Sequence, residues 1–195
     1  MTAYPQDVKS ILLSMLTYDG IKQEISGRAK ELGSLLLRRN PQRPAVFVGT
    51  ATCGLGAGAG HTLAAVREFL KWHNVDAEVV ETGCLGLCSA EPVVMVQLPR
   101  FARLVYSFVT KEKVEPLLSA LLLEKRVPEE GLLGQIVLEG QSAAPGLPLL
   151  KEHPFFRGQT FRVLQNCGIV DPGSIEEYLA GGGYRAFAKS LHTMT

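Results

Sequence analysis

Pro44-Ala45-Val46-Phe47-Val48-Gly49 opens the part of this 195-residue chain whose reading decides the fold. Four consecutive apolar residues between a proline and a glycine have the length and composition of a buried strand, and the small-residue run Gly49 to Gly60 behind them reads as a loop. Thr62 is placed to cap the next helix, whose apolar face is Leu63, Val66, Phe69 and Leu70, up to about His73. Ala77 to Glu81 reads as a second strand, Thr82 to Glu91 as a loop, and Val93 to Leu98, opened by Pro92, as a third strand. Pro99-Arg100 turns the chain into a fourth strand, Arg103 to Val109. Thr110 can cap a helix from Lys111 to Lys125 with Val114, Leu117, Leu118, Leu121 and Leu122 on its core face. The order β-α-β-β-β-α predicts an α/β domain: one βα unit, a second strand, a hairpin and a closing helix.

Working outward, Pro5 to Arg39 reads as helical. Val8, Ile11, Leu12, Met15 and Leu16 share one face, and Asp19-Gly20 makes a break. Ile21, Ile25, Ala29, Leu32 and Leu36 form a second amphipathic stripe, stopped at Asn40-Pro41. After Arg126 the composition shifts to prolines and glycines, with Ile136-Val137-Leu138 as one short strand. From His153 the chain is helix-prone again. Asp171 to Glu177 supplies an N-cap and first turn, Gly181 to Gly183 interrupts that helix, and Tyr184 to Leu191 forms a last one. The expected organisation is a helical extension over 1–43, the α/β domain over 44–126, a linker over 127–152 and a tail over 153–195.

Composition narrows the function. A net charge of +1 gives no electrostatic case for nucleic acid or an anionic membrane, and no apolar run approaches the roughly 20 residues that span a bilayer. The N-terminus lacks the basic and apolar regions of a signal peptide, which predicts a cytoplasmic protein. There, four cysteines read as metal ligands or redox thiols rather than disulfides. Cys53 follows the first strand, while Cys84 and Cys88 follow the second. In a β-α-β unit those two loops emerge at the same end of the sheet, so the three thiols can meet. Gly54, Gly56, Gly58 and Gly60 around Cys53, and Gly83 and Gly86 beside Cys84, let backbone amides approach sulfur. A helix starting near Thr62 would aim its positive end at the same place.

Thr52-Cys53-Gly54-Leu55-Gly56-Ala57-Gly58-Ala59 and Gly83-Cys84-Leu85-Gly86-Leu87-Cys88-Ser89-Ala90-Glu91-Pro92 resemble the thioredoxin-like [2Fe-2S] ferredoxin domain. More narrowly, they resemble the version fused to the front of NADH- and flavin-binding subunits in NAD-reducing hydrogenases and formate dehydrogenases, relatives of respiratory complex I. His153-Pro154-Phe155-Phe156, Arg162-Val163-Leu164, Asn166 to Pro172 and Ile175 to Tyr178 resemble the opening of that subunit's flavoprotein domain. The resemblance spans roughly Pro44 to the end of the chain. It implies a thioredoxin-like fold, a [2Fe-2S] cluster held by Cys53, Cys84 and Cys88, electron transfer, and partner subunits of an NADH-linked hydrogenase, formate dehydrogenase or related complex. In the family a flavin and NADH loop follows this tail, so the resemblance implies either the N-terminal portion of a larger flavoprotein or a separately encoded piece of one, with no FMN or NAD site expected in this chain.

The family uses four cysteines. Between Cys53 and Cys84 this chain offers Gly58 at the family's spacing and His61 a little later. Histidine can ligate such clusters, so the fourth ligand is left open between His61 and none, His61 reading equally as a solvated or capping residue, and a cluster-free docking or structural module is the competing reading. Cys167 reads as a small structural side chain. Thiol–disulfide chemistry usually needs Cys-x-x-Cys, and the spacing here is one residue longer. No hydrolytic nucleophile or metalloprotease signature is present, and three cysteines with a distant histidine match no common zinc spacing. Trp72 and Phe69 read as core, as does Tyr106. The aliphatic stripe Leu117 to Leu123 exceeds one helical face, as core on both sides or as a docking surface.

Overall fold

The structure, a computed structural model, describes residues 8–17, 27–39, 41–138 and 141–193. In chain order its elements are α1 (Val8–Ser14), α2 (Gly27–Leu36), β1 (Ala45–Gly49), α3 (Thr52–Gly56), α4 (Ala59–Trp72), β2 (Glu78–Thr82), β3 (Val94–Gln97), β4 (Arg103–Tyr106), α5 (Lys111–Leu118), β5 (Leu132–Ile136), α6 (Ile175–Ala180) and α7 (Arg185–Thr193). The chain divides into two compact units, 40–169 and the pair of segments 1–39 with 170–195.

The larger unit carries one five-stranded sheet in the order β2-β1-β3-β4-β5. Strands β1 and β2 run parallel, joined by the helical crossover, while β3, β4 and β5 continue the sheet antiparallel. The expected α/β, thioredoxin-like order β-α-β-β-β-α is observed. β1 is buried along its whole length because both faces of the sheet are covered. Val46 and Val48 point to the side packed by α4 and α5, through Val66, Phe69, Leu118 and Leu121. Ala45 and Phe47 point to the opposite side, where Met95, Val105, Leu150 and Phe156 close over them. Each large apolar side chain so buried contributes about 1.5–3 kcal/mol. A strand apolar at every position is what two covered faces require.

Several boundaries differ from the sequence expectation. Helix α4 starts at Ala59, not near Thr62, because Gly58 adopts a left-handed conformation (φ +99°) at its N-cap. Thr62 lies inside the helix, where its hydroxyl donates to the Val109 carbonyl at 2.7 Å. The closing helix is α-helical only to Leu118 and continues as a wider π turn over Ser119–Leu123. That widening lets Leu117, Leu118, Leu121 and Leu122 all be buried while Leu123 stays exposed. Trp72 is not core: it is 87% exposed, whereas Phe69 and Tyr106 are buried as expected. The Tyr106 hydroxyl donates to the Pro128 carbonyl at 3.1 Å, and burial pushes its pKa up.

The Pro/Gly-rich stretch read as linker contributes β5, paired with β4 across a bulge at Val105/Tyr106 and starting four residues before the expected Ile136. Gln135 then ties the returning chain down: its side-chain amide donates to the Ala144 and Leu147 carbonyls and accepts from the Ala144 amide.

The smaller unit is helical. Val8, Leu12 and Met15 of the N-terminal segment meet Leu32 and Leu36 of α2, and Leu179 and Ala180 of α6 pack against them. Arg38 and Glu177 form a buried ion pair at 2.7 Å, and the second Glu177 oxygen accepts the Asp171 amide at 2.7 Å. Ser174 caps α6 through the Glu177 amide, within the stretch read as N-cap and first turn. The expected break at Asp19-Gly20 and the stripe residues Ile21 and Ile25 lie outside the described residues.

Candidate metal centre

The site is assembled by two loops at one end of the sheet, the one that follows β1 and the one that joins β2 to β3. In the parallel pair β1–β2, Gly49 stands opposite Thr82, so both strands end side by side. β3 runs antiparallel to β1 and begins at the same end, with Val94 opposite Val48. Cys53 lies four residues beyond Gly49, Cys84 two residues beyond Thr82, and the segment Cys88–Glu91 leads into β3.

Cys53 does not lie in an open loop, as the glycine run suggested, but in the one-turn helix α3. Glycine at 54 is a steric necessity, because a Cβ there would fall onto the Gly49 carbonyl oxygen. This close approach brings Cys53 over the end of β1. On the other side, Leu85 and Leu87 pack against the second apolar core, and Gly86 takes a φ of +95°, open to glycine at little cost. The Cys84-to-Cys88 turn thereby closes on itself. The Gly86 amide donates to Cys84 Sγ at 3.2 Å, and Cys84 Sγ and Cys88 Sγ stand 3.8 Å apart. The following 3-10 turn, Cys88–Ala90, is pinned when the Phe108 amide donates to the Ala90 carbonyl at 2.9 Å.

The sulfurs of Cys53, Cys84 and Cys88 all lie within 4.8 Å of one another. Cys53 and Cys84 are half-buried and Cys88 is exposed, and all four cysteines of the chain are free thiols. Burial pushes the Cys84 thiol well above its ordinary pKa. The neighbouring Cys53, Glu91 and Cys88 side chains add to the rise, and the Gly86 amide opposes it.

His61 lies exposed in the first turn of α4, outside this donor group. Gly58, at the spacing where the family has its second cysteine, is the left-handed N-cap of α4, and a Cβ there would meet open space. Cys167 is also outside the group, yet close by: its Sγ lies 3.0 Å from where a Cβ on Gly83 would be. Burial pushes its thiol up. The segment around it clasps the cysteine loop. The Gly168 amide donates to Thr82 Oγ1 at 2.9 Å, and the Gly168 carbonyl accepts from the buried guanidinium of Arg103. Arg103 in turn stacks 3.6 Å over the Phe47 ring and is fixed by two bonds to Gln97 Oε1. Sequence patterning gave no sign of this clasp, since its partners are 86 residues apart.

One residue at the site had no assigned role in the sequence reading. Glu91 is 6% exposed, and its Oε1 lies 3.9 Å from Cys53 Sγ while Oε2 accepts the Val93 amide at 2.7 Å. The available signal was an acid set directly before the proline that opens an otherwise apolar strand.

No family model matches the chain. Among solved structures, a thioredoxin-like [2Fe-2S] ferredoxin from Aquifex aeolicus aligns with a TM-score of 0.42 and 18% identity, covering 52% of this chain and 100% of that one. The wild-type form of that ferredoxin at 1.5 Å resolution aligns at 0.39 with 20% identity, covering 47% and 97%. A cysteine-to-serine variant of it aligns at 0.40 with 20% identity, covering 46% and 96%. No helix among the described residues is long and apolar enough to cross a membrane.

Proposed function

We propose that this chain is an electron-transfer component in which Cys53, Cys84 and Cys88 hold a [2Fe-2S] cluster. The observation that carries the reading is the convergence within 4.8 Å of one another of three thiols from two loops, Cys53 after β1 and Cys84 with Cys88 between β2 and β3. Such a set suits a soft metal or an iron–sulfur unit, for which thiolates are the natural donors. The 3.8 Å between Cys84 Sγ and Cys88 Sγ fits two thiolates on one tetrahedral metal, where bonds of about 2.3 Å set sulfurs about 3.8 Å apart. A cluster bound here supplies a one-electron couple.

The chain's own groups then have definite tasks. The thiols release their protons to solvent as they bind. Gly86 donates its amide to Cys84 Sγ, which stabilises negative charge on that sulfur. Leu85 and Leu87 anchor the loop in the core, so the sulfurs keep their positions when charge changes. Cys88 stands at the exposed side, where a redox partner can approach.

The partner we propose is a neighbouring redox subunit of an NADH-linked oxidoreductase such as a hydrogenase or formate dehydrogenase. The support for it is the sequence resemblance at both the cysteine motifs and the 153–178 segment. A thiol–disulfide oxidoreductase fits less well, because that chemistry usually uses Cys-x-x-Cys and Cys84 and Cys88 are one residue further apart.

The test is anaerobic reconstitution with iron and sulfide, followed by metal and sulfide analysis and EPR of the reduced protein. Stoichiometric iron and sulfide, visible charge-transfer bands and a reduced-state signal are expected. Substoichiometric iron with neither band nor signal overturns the cluster and leaves the docking module; disulfide-reductase activity lost in Cys84→Ser would establish the thiol enzyme instead.

A further inference from the structure

The three thiols leave one coordination position of a four-ligand site without a cysteine, and a carboxylate stands beside them. Glu91 is almost fully buried at the junction of the two loops, against Gly49 and Gly54: a Cβ on either glycine would lie within 3.3 Å of its Oε2. The Val93 amide satisfies Oε2. Oε1 faces the thiols, with Cys53 Sγ at 3.9 Å, and the carboxylate acts on Cys84 as well. A buried polar oxygen is costly unless it has a good partner. Capping the Val93 amide accounts for Oε2, while Oε1 faces a thiol, which is a weak donor.

We propose that Glu91 is the fourth ligand of this centre, binding metal through Oε1. The inference rests on the reading of the three cysteines as metal ligands. Glu91 lies outside the group of donors that are all within 4.8 Å of one another, and it joins that group through Cys53, whose Sγ is 3.9 Å from Oε1 and within 4.8 Å of both other sulfurs. One sulfur and one oxygen on a tetrahedral metal, with bonds of about 2.3 Å and 2.1 Å, stand about 3.6 Å apart. Cys53 and Glu91 reach that span by a shift of a few tenths of an ångström. On binding, Cys53, Cys84 and Cys88 would each release a proton to solvent.

The experiment has two arms, run on the full chain, on Glu91→Gln and on Glu91→Cys. In the first, reduced apo-protein is titrated with Co(II) alone, and the sulfur-to-cobalt charge-transfer band and the visible d–d bands are recorded. In the second, the proteins are reconstituted with iron and sulfide, and EPR and Mössbauer spectra are taken. Glu91→Gln keeps the shape and the acceptor for Val93, so circular dichroism should be unchanged. Its Co(II) affinity should fall about 10- to 100-fold. Glu91→Cys should bind with a charge-transfer band stronger by about one third, as three thiolates become four, and its Mössbauer spectrum should lose the oxygen-ligated iron.

Affinity and spectra of Glu91→Gln equal to those of the unsubstituted protein, with Glu91→Cys adding no charge-transfer intensity, overturn the role of Glu91 alone. Co(II) binding that depends on Glu91, without iron–sulfide uptake, upholds Glu91 as a ligand and overturns the cluster. No metal in either arm overturns both.

Discussion

Replacing Thr82 with valine removes one hydroxyl and almost nothing else. Thr82 is 2% exposed at the end of β2, and its Oγ1 accepts the amide of the buried Gly168 at 2.9 Å. Valine fills the same volume but offers no acceptor, so in Thr82→Val the Gly168 amide is left buried and unbonded. That costs about 1–3 kcal/mol. If the clasp around Gly168 opens locally, the whole cost appears in the opening equilibrium of that segment, an increase of about 5- to 150-fold. Hydrogen exchange of the Gly168 amide reads it directly, with the amides of β1 and β3 as internal controls that should change far less. Cys167, whose thiol packs against Gly83, should be alkylated faster by a similar factor under native conditions. Unchanged exchange at Gly168 together with unchanged Cys167 alkylation would refute the clasp. An equal loss of protection in β1 and β3 would mean that the clasp and the sheet open as one cooperative unit rather than separately.

Other perturbations address the remaining supports of the site. Gly54→Ala drives a methyl group into the Gly49 carbonyl, and α3 must move to relieve it; a loss of about 3 kcal/mol or more in urea unfolding is expected, with weakened metal uptake, and a change below about 0.5 kcal/mol would contradict the packing. Burial, together with Cys53, Glu91 and Cys88, holds the Cys84 thiol protonated. In the apo-protein at about pH 8 it should therefore react with iodoacetamide at least about tenfold more slowly than free cysteine, and the rate should still be climbing at about pH 10, because a raised pKa moves thiolate formation to higher pH. A plateau near pH 9 in peptide-mapped alkylation would contradict this. Tyr106→Phe removes the bond to the Pro128 carbonyl and should cost about 0.5–1.5 kcal/mol in a thermal or denaturant melt, with metal binding retained.

Much of this architecture is written in local pattern. Val46, Phe47 and Val48 announce a strand buried on both faces, and the apolar spacing of Leu63, Val66, Phe69 and Leu70 announces its crossover helix. From that pair alone it follows that loops after parallel neighbours open at the same end, which is why the meeting of Cys53, Cys84 and Cys88 could be expected before any coordinates. What escaped was set by tertiary contact. Nothing in Thr52-Cys53-Gly54-Leu55-Gly56 favours a helix, since two glycines oppose one; the turn forms because Gly54 fits against Gly49 and nothing larger can. The start of α4 depends on a positive φ at Gly58, one glycine among several equally eligible. β5 carries Gly134 inside a Pro/Gly-rich stretch and is a strand because β4 offers it an edge. Trp72 shares its helix with Phe69 but stands beyond the end of the sheet-facing stripe, and no residue among the described ones covers it enough to bury it. Glu91 was visible as a letter but not as a donor, because its meaning depends on how near the Cys53 turn comes to it.

The Thr82–Gly168 bond also has a consequence for how the molecule is made. The cysteine turn leaves the ribosome with the residues around 84–88, but the chain that clasps it is 86 residues away in sequence. At synthesis rates of about 5–20 residues per second, the thiols wait roughly 4–17 s before their support exists. During that interval Cys84 and Cys88 ride on a nascent polypeptide that lacks this clasp. Insertion of metal is therefore best timed after the downstream segment has emerged, and a nascent chain stalled before residue 168 should prove a poor acceptor of iron.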